Sequence, residues 1–138
     1  DRYIKGSVLH PQPTLARKVF SRIYNAVIRA MFLMHYRDTQ CGAKIFKRTA
    51  LENIVPTIGM TKWAFDIELL YKLKKEGYQI STAPTIWSSK DYSKINLFSS
   101  GPMMVLGIIR LRILNSPFKR AIRVYDFFAE MARKVITK

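Results

Sequence analysis

Histidine, cysteine and carboxylates are scarce in this chain: two histidines, one cysteine and nine acidic residues among 138. The lone Cys41 excludes an internal disulfide and any zinc site built on cysteine pairs. Neither His10 nor His35 is placed to partner Cys41 as a nucleophile, so Cys41 reads as a small buried side chain. No Asp-x-Asp pair, glycine-rich phosphate loop or His/Asp cluster with ligand spacing occurs. Long apolar runs are missing too. The oily stretch that ends at Arg110 and Arg112 falls short of the roughly 20 residues a membrane span needs, and is expected to lie on a surface.

What is abundant is positive charge. Twenty-four lysines and arginines give a formal net charge of +15, which speaks about partners and solubility more than fold. The excess is segregated. No acid stands between Asp1 and Asp38 or between Asp91 and Asp126, whereas the middle of the chain is nearly balanced. A polarised molecule with one positive face follows, and phosphates or anionic lipid surfaces are its natural counterparts. About half of the residues are hydrophobic (49%), enough for one domain with a sizeable core. Asp1-Arg2-Tyr3 reads as an interior stretch of a longer protein.

The order of elements points to a mixed α/β unit. Residues 2–7 read as a short strand running into a glycine turn, and Pro11 and Pro13 bracket a stiff linker. Thr14 caps a helix expected to reach about residue 35. Its apolar stripe is Leu15, Val19, Phe20, Ile23, Tyr24, Val27, Ile28, Met31 and Phe32. A strand is expected over 41–46, then a short helix capped by Thr49 and stopped by Pro56. An amphipathic helix over 63–76 turns Phe65, Leu69, Leu70 and Leu73 inward, with Gly77 as its C-cap. Residues 78–87 alternate as a strand interrupted by Pro84. After the oily helix, Asn115-Ser116-Pro117 makes a break. A last helix over 118–136 carries the stripe Phe118, Ile122, Tyr125, Ala129, Ala132 and Ile136.

Two islands concentrate the scarce carboxylates. Arg37-Asp38-Thr39-Gln40-Cys41-Gly42-Ala43-Lys44 is one; Trp63-Ala64-Phe65-Asp66-Ile67-Glu68 is the other. Together with Trp87 and Ser93-Lys94, the strings DTQCGAKIFKR and KWAFDIELLYKLKKEGYQI resemble the second half of family 2 glycosyltransferases. Within them the chain looks most like the polyprenyl- and dolichyl-phosphate glycosyltransferases, of the glucosyltransferase type. The resemblance covers residues 1–118, and its specificity lies in three motifs in order.

The resemblance implies the C-terminal half of a GT-A (nucleotide-diphospho-sugar transferase) fold. Residues 1–98 would be the acceptor-side part and 99–138 basic amphipathic helices on a membrane surface. It implies transfer of a sugar from a nucleotide-diphosphate sugar to a polyprenyl or dolichyl phosphate, on the cytoplasmic face of a membrane. Arg2 matches the arginine of an SRY-like segment that holds the acceptor phosphate. Arg17 and Ser21 match an Arg-x-x-x-Ser pair, and their four-residue step shares one helix face; Arg17 can equally be a solvated helix arginine.

Asp38 lies in the family's Asp-x-x-Cys/Ser-Gly motif and would orient the phosphate or position the sugar; its structural alternative is a pair with Arg37 or Lys44. Asp66 is the second expected catalytic carboxylate. Glu68 points about 200° away on a helix and is assigned to a structural salt link. Gln40 and Trp63 are sugar-binding candidates, although filling the core is the preferred reading of Trp63, and Lys94 would face the diphosphate. Two departures from the family stand out. Tyr92 replaces a usual glycine, which puts loop flexibility in doubt, and Ala43 an aromatic, which reshapes a pocket. A divalent metal, Mg or Mn, is expected in the intact enzyme with its ligands absent from this chain, so that this portion alone is expected to be inactive.

Charge alone would allow a nucleic-acid-binding module, but no reading motif is present and the aromatics follow buried periodicities. A non-catalytic membrane-surface protein is the other alternative.

Overall fold

The computed structural model describes residues 1–60, 64–88 and 97–136, without the side chains of 97–99 and 135–136. Two short strands and five helices occur in it: β1 (Val8–His10), α1 (Leu15–Phe32), α2 (Arg48–Ile54), α3 (Phe65–Lys75), β2 (Ile86–Ser88), α4 (Leu97–Leu114) and α5 (Ile122–Ile136). The fold is a mixed helical one with a small parallel sheet, compatible with the α/β class. β1 and β2 pair in register Val8↔Ile86, Leu9↔Trp87 and His10↔Ser88.

Helix α1 starts where its cap dictates: the Thr14 side chain accepts from the backbone nitrogen of Arg17, satisfying one of the orphan donors of the first turn. Its expected stripe splits in two. Tyr24, Ile28 and Phe32 are buried, but Leu15, Val19, Ile23 and Val27 form an exposed row one face over. The polar Asn25 is buried in their place. Leu33 ends the helix in the left-handed region (φ 52°), and its carbonyl accepts from the ammonium of Lys74 on α3.

Helix α3 is the hub. Ile67 and Leu70 join Tyr24, Ile28, Met104 and Ile108 in the main core. On the other side, Leu69 and Leu73 pack on Ala50 and Ile54 of α2. Phe65, expected inward, stands 41% exposed, and Ile67 occupies the core in its stead. Gly77 (φ 81°) closes α3 as expected. Its nitrogen donates to the Lys74 carbonyl and that of Tyr78 to the Leu73 carbonyl, the paired bonds of a Schellman cap.

Helix α4 differs from the surface-lying segment expected. Met104, Ile108 and Leu111 recur at four- and three-residue steps and are buried against α1 and α3. Close approach is permitted by Gly101, where a methyl group would stand 3.0 Å from the Phe20 ring. Among the described residues no helix is long and apolar enough to cross a membrane. Helix α5 packs on α4 through Ile122, Tyr125, Ala129 and Ala132, all wholly or partly buried. Phe118, expected in that stripe, is exposed, because residues 119–121 form a 3-10 turn before α5 begins.

The other differences concern strands and one cap. Residues 2–7 form turns, 41–46 pair with no strand, and of 78–87 only the end joins β2. Thr49 lies inside α2, whose cap position is Lys47.

Candidate functional site

The segment before β1 is pinned to the segment before β2. The backbone nitrogen of Asp1 donates to the Ala83 carbonyl at 2.8 Å and the Ser7 hydroxyl to the Asp1 carbonyl at 2.6 Å. The backbone nitrogens of Thr85 and Val8 then bond the Ser7 hydroxyl and the Thr85 carbonyl. Gly6, at φ 95° beside Pro84, takes the turn a side chain would strain. Arg2 and Tyr3 are thereby held against the first island and against α1.

Arg2 donates to Asp38 three times: from its backbone nitrogen to Oδ2 at 3.0 Å, from Nε to Oδ2 at 2.8 Å and from Nη2 to Oδ1 at 2.8 Å. The Asp38 side chain is 0% exposed and that of Arg2 25%. Burial pushes the Asp38 carboxyl up, but the hydrogen bonds and charge of Arg2 outweigh it and hold it below the usual carboxylate range. The Arg2 guanidinium is raised in turn, first by its hydrogen bonds to Asp38. Asp38 is thus an ionised group with both oxygens engaged.

Tyr3 and Ser21 share a 2.7 Å hydroxyl hydrogen bond. One turn later Asn25 donates to the Ser21 carbonyl at 2.9 Å, and its own oxygen accepts from the Thr39 hydroxyl at 3.2 Å. Thr39 follows Asp38 in sequence. The circuit Arg2–Asp38–Thr39–Asn25–Ser21–Tyr3 closes on itself, joining residues 2–3, α1 and the first island. No buried side-chain nitrogen or oxygen among the described residues lacks a partner, the condition under which such a network rigidifies a site.

The expected site residues are thus gathered in part. Arg2, Ser21 and Asp38 meet, half-buried Arg17 lies one turn before Ser21 on α1, and half-buried Gln40 follows Thr39. Asp66 has its own cation: Lys44 reaches it at 3.0 Å while also donating to the Cys41 carbonyl at 2.5 Å. Arg2 takes the place expected for Arg37 or Lys44 beside Asp38. Glu68, on the opposite side of α3, accepts from the backbone nitrogens of Gly59 and Met60 and pairs with Lys72 at 2.8 Å, the structural link expected of it. Trp63 and Lys94 lie outside the described residues.

Sequence reasoning missed Tyr3, Asn25 and Thr39. The signal for Asn25 was an amide on a buried stripe, between Tyr24 and Ile28; Thr39 sat in the motif unassigned.

The described carboxylates do not fit a metal. Asp38, Asp66, Glu68 and Asp126 are each tied to a cation, and no group of three His, Cys, Asp or Glu side chains comes together among the described residues.

Comparison with known proteins supplies relatives. The chain is 31% identical over 110 residues to a dolichyl-phosphate beta-glucosyltransferase of Dictyostelium discoideum, which covers 80% of this chain and 34% of that protein. It is 39% identical over 64 residues to the dolichyl-phosphate beta-glucosyltransferase of Drosophila melanogaster, 46% of this chain and 20% of that one. With the glycosyltransferase AglD of Haloferax volcanii the identity is 33% over 81 residues, 59% and 13% of the two chains. The chain therefore spans at most about a third of the length of these relatives. No family model matches it, and no solved structure does.

Proposed function

We propose, from the premise that this chain is a relative of part of the dolichyl-phosphate glycosyltransferases, that it forms the acceptor-binding portion of such an enzyme. The intact protein would carry a GT-A fold and transfer a sugar from a nucleotide-diphosphate sugar to a polyprenyl or dolichyl phosphate. The observation that carries this reading is the closed circuit around Arg2 and Asp38. Three residues that the resemblance assigns to the acceptor side, far apart in sequence, belong to it.

A phosphate monoester is already anionic at neutral pH, so it needs alignment more than a base. In the transfer, a phosphate oxygen forms a bond to the anomeric carbon. The bond from that carbon to the nucleotide diphosphate breaks, the electron pair leaves with the diphosphate, and no proton has to move. Asp38 fits a positioning role: ionised and doubly bonded, it holds one edge of the Arg2 guanidinium and turns the other towards an anion. Arg is suited to this because its fork can serve a carboxylate and a phosphate together. The hydroxyls of Tyr3 and Ser21, with Arg17 one turn away, would complete the phosphate contacts.

Asp66, steadied by Lys44, is kept as the sugar-side carboxylate with Gln40 and Trp63, and Lys94 for the diphosphate; these assignments rest on the resemblance. A divalent metal, Mg or Mn, would offset charge on the diphosphate, and we place its ligands outside this chain.

The test is conversion of dolichyl phosphate to a lipid-linked sugar by the intact protein, supplied with nucleotide sugars and a divalent metal. Formation of the glycolipid supports the reading. Transfer only to a protein or free-sugar acceptor would remove it.

A further inference from the structure

Helix α1 buries one amide in an otherwise apolar row. Asn25 stands between Tyr24 and Ile28 at 7% exposure, and the Thr39 it faces is 0% exposed. Chemistry assigns its two ends. The Ser21 carbonyl can only accept, so Nδ2 donates to it at 2.9 Å. Oδ1 then takes both donors of Thr39, the hydroxyl at 3.2 Å and the backbone nitrogen at 3.5 Å. Burying such a pair costs desolvation that its hydrogen bonds offset, and an apolar pair of similar shape serves stability nearly as well. What an apolar pair lacks is direction.

Direction matters because of what stands on either side. Arg2 and Tyr3 are adjacent in sequence yet grip different elements. Arg2 holds the Asp38 carboxylate, and Tyr3 shares a 2.7 Å hydrogen bond with the Ser21 hydroxyl of α1. Two neighbouring residues reach both partners only while α1 and residues 38–39 keep one relative placement. Asn25 ties those two elements together, through the residue after Asp38 and the carbonyl of Ser21. An ionised aspartate at this position would have no proton for that carbonyl and would bury a charge; a leucine would orphan Thr39.

We infer that Asn25, acting with Thr39, is a positioning residue for the anion site. It sets the spacing at which Arg2, Tyr3 and Ser21 meet a phosphate monoester, and it contributes little to stability. The class of ligand rests on the acceptor function proposed above; the positioning role rests on these contacts.

The test uses the intact protein and two probes, a short-chain isoprenyl phosphate and a nucleotide sugar, titrated by calorimetry, with glycolipid formation assayed alongside. Asn25→Leu combined with Thr39→Val removes both polar side chains at once, and should melt closer to wild type than Asn25→Leu alone. The double variant should nevertheless bind the isoprenyl phosphate roughly tenfold more weakly and the nucleotide sugar as before. Thr39→Ser, which keeps the hydroxyl, should retain most of the isoprenyl-phosphate affinity. Ile54→Ala, in the separate core cluster between α2 and α3, should cost stability without altering either affinity.

Undiminished isoprenyl-phosphate binding by the folded double variant overturns the inference. So does an equal loss of both probes, a similar loss in Ile54→Ala, or a Thr39→Ser variant as weak as Thr39→Val. A wild type that binds no isoprenyl phosphate removes the inference together with the acceptor reading. Selective loss in the double variant, with no glycolipid formed by the wild type, sinks the proposed function alone. Glycolipid formation with an unaffected double variant sinks this inference alone.

Discussion

Arg2 grips Asp38 with both Nε and Nη2 at 2.8 Å, across thirty-six residues of sequence. The two ends of this bond are unequal. Arg2 keeps a quarter of its side chain in solvent, whereas the Asp38 carboxylate has none. Removing the arginine therefore strands a buried charge, while removing the carboxylate leaves a cation that water can reach. Arg2→Ala should cost about 3 kcal/mol of stability, and Asp38→Ala measurably less. Urea melts of the two single variants and the double variant check this; a coupling energy near zero would mean the pair is decorative.

The depressed carboxyl of Asp38 fixes a direction in pH. In the unfolded chain it titrates near the usual aspartate value of about 3.9; in the fold it titrates lower. Its contribution is fully present above the unfolded value and is lost as pH falls through the folded one. Thermal melts between pH 6 and pH 2 should show stability falling below about pH 4, with a shallower fall for Asp38→Asn. Parallel slopes in the two proteins would assign acid sensitivity to other groups.

Asp66 and Glu68 divide their work by helix geometry. Glu68, 3% exposed, answers the backbone donors of Gly59 and Met60, so Glu68→Ala should destabilise by about 2 kcal/mol through orphaned groups. The Asp66–Lys44 pair, whose carboxylate side chain is 34% exposed, is worth about 1 kcal/mol or less. Asp66→Asn should leave the melting temperature nearly unchanged and lower sugar transfer by the intact protein at least tenfold. A variant that melts early and transfers normally once folded would reverse the assignment.

Helix α4 turns one side, Met104, Ile108 and Leu111, into the core. Ile108 is fully buried, so Ile108→Ala should cost about 3 kcal/mol. Gly101→Val should also destabilise, since even the first added carbon meets the Phe20 ring at 3.0 Å. Val105→Ala, at a 39% exposed position on the same helix, should cost far less. Chemical denaturation of the three variants gives the order directly.

Features written in a few neighbouring residues were legible beforehand. The Thr14 cap, the Gly77 cap and the burial of Leu69, Leu70 and Leu73 need only local rules of hydrogen bonding and periodicity. Strands were not, because an extended segment such as 41–46 becomes one only where another edge meets it. The same limit explains α1. Periodicity found its apolar residues, Leu15, Val19 and Ile23 among them, but not which half would face a neighbour, and the fold leaves those three exposed. In the site, the motifs named Asp38, Arg2 and Ser21, which the fold brings together. Tyr3, Asn25 and Thr39 were hidden because their role is the contact between segments.

Arg2→Lys in the intact protein tests the central claim most directly, since it keeps the charge and removes the fork. Steady-state kinetics with dolichyl phosphate and nucleotide sugar varied separately should show the KM for the lipid phosphate raised at least tenfold and that for the nucleotide sugar unchanged. Tyr3→Phe should move the same constant the same way by a smaller factor. Unaltered lipid-phosphate kinetics in a folded Arg2→Lys protein would contradict the account.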